Sequence, residues 1–182
     1  MGQDMRALVA AGVPSQNIYA SDLKKEFWDI GHDLFLDRDT LKTKFIEADI
    51  FDEDSELKQL DGKLSIVLAQ SFFHLFSWDD QVKAAKRVIK LLKREPGVMV
   101  FGRQGAMVDA GSFEHANIAQ AVYWHNVESW KRLWNQVGEE TGSEWRVEAE
   151  LGEEDLSKRM GMGEMKLIPK GSRFMTFTIR RV

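Results

Sequence analysis

The stretch Asn17–Phe51 constrains the fold more than any other part of the chain. It predicts a strand, Asn17–Ser21, that ends on Asp22, then a helix, and then a second strand, Lys44–Ala48, that ends on Asp49. Strands that alternate with helices lie parallel in one sheet, and ligands bind outside the carboxyl ends of such strands. One carboxylate could accept both hydroxyls of a ribose, and the other could accept an exocyclic amine. The pair predicts a nucleoside-binding edge, with simple turn or helix capping as the alternative.

Composition excludes several classes of function. The chain has 182 residues, no cysteine and a net charge of −4, with no long basic run. Disulfides, thiolate catalysis and nucleic acid as the main partner are therefore not expected. No apolar run has the length of a membrane span, and no signal peptide is visible, so we expect a cytoplasmic protein with a single domain over residues 1–182. His32, His115 and His125 show no ligand spacing with nearby acids, so no metal is expected.

Helices are predicted wherever apolar residues recur at helical spacing. Residues 24–34 form such a helix, and its expected buried face consists of Phe27, Ile30 and Leu34. Ser77 and Asn126 are expected to cap the starts of two later helices, because their side-chain oxygens can accept from free backbone N–H groups.

Strands account for most of the remaining apolar segments. The continuous apolar run Leu64–Gln70 predicts a central strand covered on both faces, and Val98–Phe101 predicts another short one. Residues 106–124 are harder to assign and are interpreted as a partly helical excursion over the sheet edge. Trp145–Leu151 and Ser172–Val182 alternate in polarity, which favours a closing antiparallel pair. The fold class is therefore α/β, with a largely parallel sheet, helices on both faces and a C-terminal antiparallel strand pair.

At this point the sequence resembles a known family. Five stretches occur in order and at fitting intervals: GQDMRALVAAGVP, NIYASDL, KFIEADIFD, LAQSFFHLFSWDDQ and PGVMVFGRQ. They are similar to class I S-adenosylmethionine-dependent methyltransferases, in particular those of fungal polyketide and meroterpenoid biosynthesis. The resemblance implies a Rossmann-like sheet and S-adenosylmethionine as the cofactor.

The resemblance also implies roles for the residues at the two strand ends. Asp22 would bind the ribose hydroxyls, and Leu23 would pack beside it. Asp49 would accept the adenine amine, and Ile50 would lie against the adenine ring.

Three further cofactor contacts are implied nearer the reacting group. Gln70 and Ser71 would lie beside the sulfonium or the acceptor, and Gly2 would be the last glycine of the loop under the methionine end. The family begins its domain with a strand and a glycine-rich loop before GQD, whereas this sequence starts inside that loop. We therefore expect the sheet to lack its first strand, between Asn17–Ser21 and Leu64–Gln70. A shifted pairing of these two strands, a strand from a second subunit or a longer parent chain could fill that gap.

An aromatic loop follows the predicted central strand and supplies the best candidate for a catalytic base. His74 could remove a proton from an acceptor, or could simply pack among phenylalanines and cap the next helix. Arg103 and Gln104 could hold an acceptor carboxylate or carbonyl, with a surface role as the alternative. Phe73 and Trp124 could line the substrate pocket.

Two classes of function remain open from the sequence. The first is a methyltransferase that acts on a small secondary metabolite, with a homodimer as one way to complete the sheet. The second is a methyltransferase-like protein that works without S-adenosylmethionine and binds, cyclises or isomerises a metabolite, or serves as a non-catalytic partner subunit.

Overall fold

The computed structural model describes residues 2–114, 120–159 and 168–182. The chain divides into two compact units, Met1–Gln59 and Leu60–Val182, which we call the N-terminal and C-terminal units.

The N-terminal unit contains the strand–helix–strand segment that the sequence predicts. Its helices and strands are α1 (Gln3–Ala10), β1 (Tyr19–Asp22), α2 (Lys25–Phe35) and β2 (Lys44–Glu47). The two strands pair in parallel, with Tyr19 opposite Lys44 and Asp22 opposite Glu47.

The prediction of which face of α2 is buried is wrong. Trp28, at 7% exposure, stacks on Phe45 of β2 with ring centroids 5.3 Å apart. The residues expected to be buried are instead about half exposed: Phe27 at 50%, Ile30 at 49% and Leu34 at 62%. Apolar residues lie on both sides of this helix, and spacing does not say which side meets the sheet; Trp28 brings the larger apolar surface.

An ion-pair cluster holds α1 to the end of α2. The Arg6 guanidinium donates to both carboxylate oxygens of Asp37, with Nε–Oδ2 at 2.5 Å and Nη2–Oδ1 at 3.0 Å. His32 Nδ1 lies 2.8 Å from the same Asp37 Oδ1, and Arg6 also covers the Phe35 ring. The bond from Arg6 and then that from His32 lower the pKa of Asp37, although partial burial opposes them. The cluster therefore depends on an ionised Asp37.

The C-terminal unit is built on a four-stranded mixed sheet in the order β3-β4-β8-β7. Its elements are β3 (Ile66–Leu68), α3 (Trp78–Leu91), β4 (Met99–Met107), β5 (Gly111–Glu114), β6 (Ala121–Trp124), α4 (Val127–Thr141), β7 (Trp145–Leu151), α5 (Leu156–Arg159) and β8 (Ser172–Arg181). Strands β3 and β4 are parallel, and β8 runs antiparallel to both β4 and β7. The expected closing antiparallel pair is thus confirmed, and parallel strand pairs alternating with helices confirm the α/β class.

The core of this unit lies between β8 and α4. Met175, Phe177 and Ile179 alternate along β8 and are buried, as the pattern of that strand predicts. On α4, Trp130 is fully buried, with its ring centroid 5.1 Å from that of Phe177. Burying such large rings supplies much of the driving force for folding.

Both expected helix caps are confirmed. Ser77 Oγ accepts from the backbone N–H of Asp80 at 3.3 Å at the start of α3. Asn126 and Ser129 form a reciprocal capping box at the start of α4. Each cap satisfies N–H groups that the first helical turn leaves unpaired.

Three strand predictions need correction. Strand β3 is shorter than Leu64–Gln70 and has one neighbour in the described part of the chain, so Ile66 is 53% exposed rather than covered. Strand β4 continues to Met107, because it pairs with β8 along its whole length. The described parts of residues 106–124 form a β-hairpin, β5–β6, and not a partly helical excursion.

Helix α5 is the last described element before residues 160–167, which lie outside the described part of the chain. In the ranges that the structure describes, no helix is both long and apolar enough to cross a membrane.

Candidate functional site

The two predicted aspartates lie at the same edge of the N-terminal unit's sheet. Asp22 is the last residue of β1 and Asp49 lies two residues beyond the end of β2. Because the strands are parallel, both side chains come from the carboxyl end of the pair. Both residues are exposed to solvent.

Each aspartate also stabilises its own turn. Asp22 Oδ1 accepts from the backbone N–H of Lys24 at 3.0 Å, and Asp49 Oδ1 accepts from that of Phe51 at 2.9 Å. Within the described residues, neither carboxylate forms an ion pair. The capping interpretation therefore holds for one oxygen of each group, and the second oxygen is left to accept from a ligand. Leu23, at 60% exposure, stands beside Asp22 as an apolar surface.

A third carboxylate at this edge was not predicted from the sequence. Glu47 is opposite Asp22 in the strand register. Its Oε1 accepts from the backbone N–H of Lys25 at 3.2 Å, at the start of α2. Glu47 thus supplies the cap that Lys24, the residue preceding α2, does not provide. Its position near the C-terminal end of the predicted strand was the available signal.

Gly2 precedes α1 in the left-handed conformation, with φ of 69°. A β-carbon there would lie 3.0 Å from Arg6 Nη1 and 3.2 Å from the Trp28 ring. Any larger residue would be both strained and crowded, so glycine keeps the backbone close to these side chains.

In the C-terminal unit, three predicted residues meet at the carboxyl edge of β3, beside the middle of β4. Ser71 N donates to the carbonyl oxygen of Arg103 at 2.8 Å, and Gln70 Oε1 accepts from Arg103 N at 3.1 Å. Ser71 has a positive φ of 51°, which is unusual away from glycine. The exposed Arg103 guanidinium lies 4.3 Å above the Phe174 ring.

His74 and Trp124 form a second group beside this edge. The two rings meet edge to face with centroids 5.6 Å apart, and Trp124 Nε1 donates to the His74 carbonyl oxygen at 3.0 Å. Gly105 permits this approach, because a β-carbon there would lie 2.9 Å from the Trp124 ring and 3.2 Å from the His74 ring. Trp124 is 5% exposed, so it packs against His74 and is largely shielded from solvent.

Phe73 and Gln104 are fully buried. Phe73 packs against Trp130 and Trp134 of α4 with centroids at 5.3 and 6.3 Å. Gln104 is opposite the buried Met175 and so shares its face of the sheet. Both side chains contribute to the core beneath the edge, and in this arrangement neither is open to solvent.

Sequence reasoning missed a buried polar group between β6 and α4. His125, at 1% exposure, lies between Ser129 and Gln81, with Nδ1–Oγ at 2.9 Å and Nε2–Oε1 at 3.1 Å. Burial, and secondarily the charge of Arg132, lower its pKa from 6.5 to about 3. No local pattern marks Gln81 as its partner, because the two are 44 residues apart.

No cluster of metal-binding side chains is present among the described residues. His115, which the sequence also named, lies outside the described residues.

No protein-family model matches the chain. The chain is 45% identical over 193 residues to O-methyltransferase phiE from Fungal sp., a match that covers all of this chain and 64% of that protein. It is 42% identical over 159 residues to methyltransferase adrK from Penicillium rubens, covering 87% of this chain and 57% of the relative. Asnovolin E/Chermesin D methyltransferase nvfJ from Aspergillus novofumigatus is 40% identical over 148 residues, covering 81% and 53%. The chain thus spans between 53% and 64% of the length of these relatives.

Solved structures share the fold at low sequence identity. A 1,6-didemethyltoxoflavin-N1-methyltransferase from Burkholderia thailandensis, with bound S-adenosylhomocysteine, gives a TM-score of 0.65 at 11% identity, covering 100% of this chain and 67% of that one. Phosphoethanolamine N-methyltransferase 2 from Haemonchus contortus also gives 0.65, at 13% identity, covering 99% and 46%. These likenesses concern the fold alone. The chain is therefore homologous to fungal methyltransferases over at least 81% of its own length, and it has the fold of class I S-adenosylmethionine-dependent methyltransferases.

Proposed function

We propose that this protein transfers a methyl group from S-adenosylmethionine to a small secondary metabolite. The observation that carries the proposal is the placement of Asp22 and Asp49, both exposed, at the carboxyl edge of a parallel strand pair. Carboxylates accept hydrogen bonds from hydroxyl and amine groups, which are the donors that an adenosine presents at its ribose and its base.

The residues of the N-terminal unit fit the nucleoside part of this cofactor. Asp22 would accept from the ribose hydroxyls and Asp49 from the adenine amine, with Leu23 and Ile50 as apolar neighbours. Gly2 would let the backbone approach the methionine end, since a β-carbon there already crowds Arg6 and Trp28. Bound S-adenosylmethionine supplies a methyl group activated by a sulfonium.

The residues of the C-terminal unit would serve the acceptor. Gln70 and Ser71 would align the acceptor at the end of β3, and Arg103 would hold a carboxylate or carbonyl group. His74 would take the proton that an acceptor hydroxyl loses in the displacement. Alignment of the two reactants contributes most to such a displacement, about 7–11 kcal/mol in favourable cases.

Titration calorimetry with S-adenosylmethionine tests the proposal. We expect binding, and a loss of about 10- to 100-fold in affinity for Asp22→Ala, because bonds to charged acceptors contribute about 1.5–3 kcal/mol. Asp39→Ala is the matched control, since Asp39 is equally exposed and lies away from the strand ends. No heat with the native protein, or equal affinities for the two variants, would contradict the proposed cofactor site.

A second candidate is catalysis or binding of a metabolite without methyl transfer. The same fold is found in the [4+2]-cyclase SpnF, with a TM-score of 0.59 at 12% identity over 90% of this chain and 66% of that one. Aromatic side chains around His74 would suit an apolar metabolite. This candidate gains support if a metabolite binds while S-adenosylmethionine does not.

We further propose that an additional strand pairs with the open edge of β1 or β3. Each of these strands has a single neighbour among the described strands, and an unpaired edge offers free N–H and C=O groups. A second copy of the chain is one source of that strand. Light scattering after gel filtration should then report a dimer, whereas a stable monomer would contradict the dimer.

A further inference from the structure

The loop that carries His74 is held by donors from separate elements. The His74 carbonyl oxygen accepts from Trp124 Nε1 at 3.0 Å. The Phe76 carbonyl oxygen accepts from Tyr123 N at 2.9 Å and from Gln81 Nε2 at 3.1 Å. Strand β6 and helix α3 therefore fix two backbone positions in a loop that has only a short 3-10 turn of its own.

The bonds of Gln81 determine which nitrogen of His125 carries the proton. The Gln81 NH2 group donates to the carbonyl oxygens of Phe76 and Tyr123, at 3.1 and 2.7 Å. Carbonyl oxygens only accept, so Gln81 Oε1 must be the atom that faces His125 Nε2 at 3.1 Å. An acceptor at that position requires an N–H on Nε2. Nδ1 is then the acceptor that faces the Ser129 hydroxyl at 2.9 Å, and the proton of that hydroxyl is shared between Nδ1 and the Asn126 carbonyl oxygen at 3.2 Å.

The surroundings of His125 keep the ring neutral. Its ring centroid lies 5.2 Å from that of Trp78, 4.8 Å from that of Tyr123 and 5.1 Å from that of Trp130. Burial among these rings, followed by the positive charge of Arg132, opposes a second proton on the imidazole and lowers its pKa.

We propose that Gln81, Trp124 and His125 are positioning residues for His74, and that His125 acts as a neutral imidazole protonated on Nε2. His125 orients Gln81, Gln81 joins the His74 loop to β6, and Trp124 braces both the carbonyl and the ring of His74. Gly105 completes the arrangement, because it leaves room for Trp124. The role assigned to His74 rests on the proposed function, whereas the arrangement of the network does not.

Nitrogen-15 NMR of the native protein, labelled at histidine and tryptophan, tests the proposal without any cofactor. We expect one histidine with the signature of a neutral ring protonated on Nε2, unchanged between pH 5 and pH 8 as its low pKa requires. Assignment through His125→Gln identifies that signal. A His125 that titrates in this range, or that carries its proton on Nδ1, would overturn the proposal.

Two variants test the coupling to His74. Gln81→Leu keeps the approximate volume and removes the bonds, so we expect the Trp124 indole N–H to exchange about tenfold faster or more and the His74 ring signals to shift. Trp124→Phe keeps an aromatic ring without the N–H, and should shift His74 while His125 keeps its tautomer. Gln16→Leu, at an exposed position of the N-terminal unit, is the control.

The outcomes separate this proposal from the proposed function. Unchanged Trp124 exchange and unchanged His74 signals in Gln81→Leu would contradict the positioning network, whatever the protein binds. If Gln81→Leu does not fold, the spectra of Trp124→Phe and the tautomer of His125 in the native protein still test the proposal. Absence of S-adenosylmethionine binding would instead contradict the proposed function and leave the network as measured.

Discussion

Single residues in β4 determine how closely its neighbours can approach. Gly102 faces the end of β3, where a β-carbon would lie 2.2 Å from the carbonyl oxygen of Ala69 and 3.0 Å from the ring of Phe177. The first contact involves backbone, which cannot rotate away. In the sequence, Gly102 and Gly105 follow the predicted strand Val98–Phe101. In the structure both glycines lie within β4, where the Ala69 carbonyl oxygen and the Trp124 ring approach the strand.

We predict that Gly102→Ala lowers the free energy of unfolding by about 1–3 kcal/mol, as overpacking of a fixed contact usually does. Urea denaturation followed by tryptophan fluorescence measures this change. Gly111→Ala is the matched control, because a β-carbon there meets nothing within 4 Å. Equal denaturation midpoints for the two variants would contradict the close approach of the Ala69 carbonyl oxygen to Gly102.

Among the elements, α2 shows how a helix can present apolar residues on two faces. Trp28 and His32 pack inward, whereas Leu34 on the other face is 62% exposed. The sheet covers only the first face. The opposite face, with Phe27, Ile30 and Leu34, is an exposed apolar surface.

Paired substitutions in α2 test which face is buried. Trp28→Ala should lower the free energy of unfolding by about 3–5 kcal/mol, because it removes a large ring from the core. Leu34→Ala should change that energy by less than about 0.5 kcal/mol, as surface substitutions usually do. Chemical denaturation of both variants gives the comparison. If Leu34→Ala lowers the free energy of unfolding more than Trp28→Ala does, the buried face is the one that helical spacing predicts.

For the molecule as a whole, His125 couples folding to pH. Its pKa is 6.5 when unperturbed and about 3 in the folded protein. Above pH 6.5 neither state binds the proton, so this group adds no pH dependence. Below pH 6.5 the unfolded chain takes up a proton that the folded protein refuses until about pH 3. Stability contributed by the neutral ring is therefore lost progressively as the pH falls through this window.

We predict that the free energy of unfolding falls by about 1 kcal/mol for each pH unit between pH 6.5 and pH 5, with a slope that approaches about 1.4 kcal/mol at the acidic end. Carboxylates such as Asp37 and Asp80, whose pKa values are lowered below 3.8, contribute mainly at more acidic pH. Urea denaturation at several pH values measures the slope. His125→Gln should flatten it. A flat profile for the native protein would contradict the buried neutral histidine.

What the sequence by itself determined was mostly local. The alternation of strands and helices, the caps at Ser77 and Asn126, and the placement of Asp22 and Asp49 at strand ends depend on residues a few positions apart. Such signals can be recognised in a single sequence, because backbone hydrogen bonding and side-chain spacing act over one or two turns. The family resemblance added the cofactor class and the roles proposed for those aspartates.

Only the tertiary structure decided the features that depend on distant partners. The buried face of α2 is set by the sheet beneath it, the length of β4 by its pairing with β8, and the β5–β6 hairpin by contacts with the His74 loop. The His125–Gln81 bond joins residues 44 positions apart, and no short-range pattern contains it. These features arise from side-chain packing and hydrogen bonding between segments that the chain brings together only when it folds.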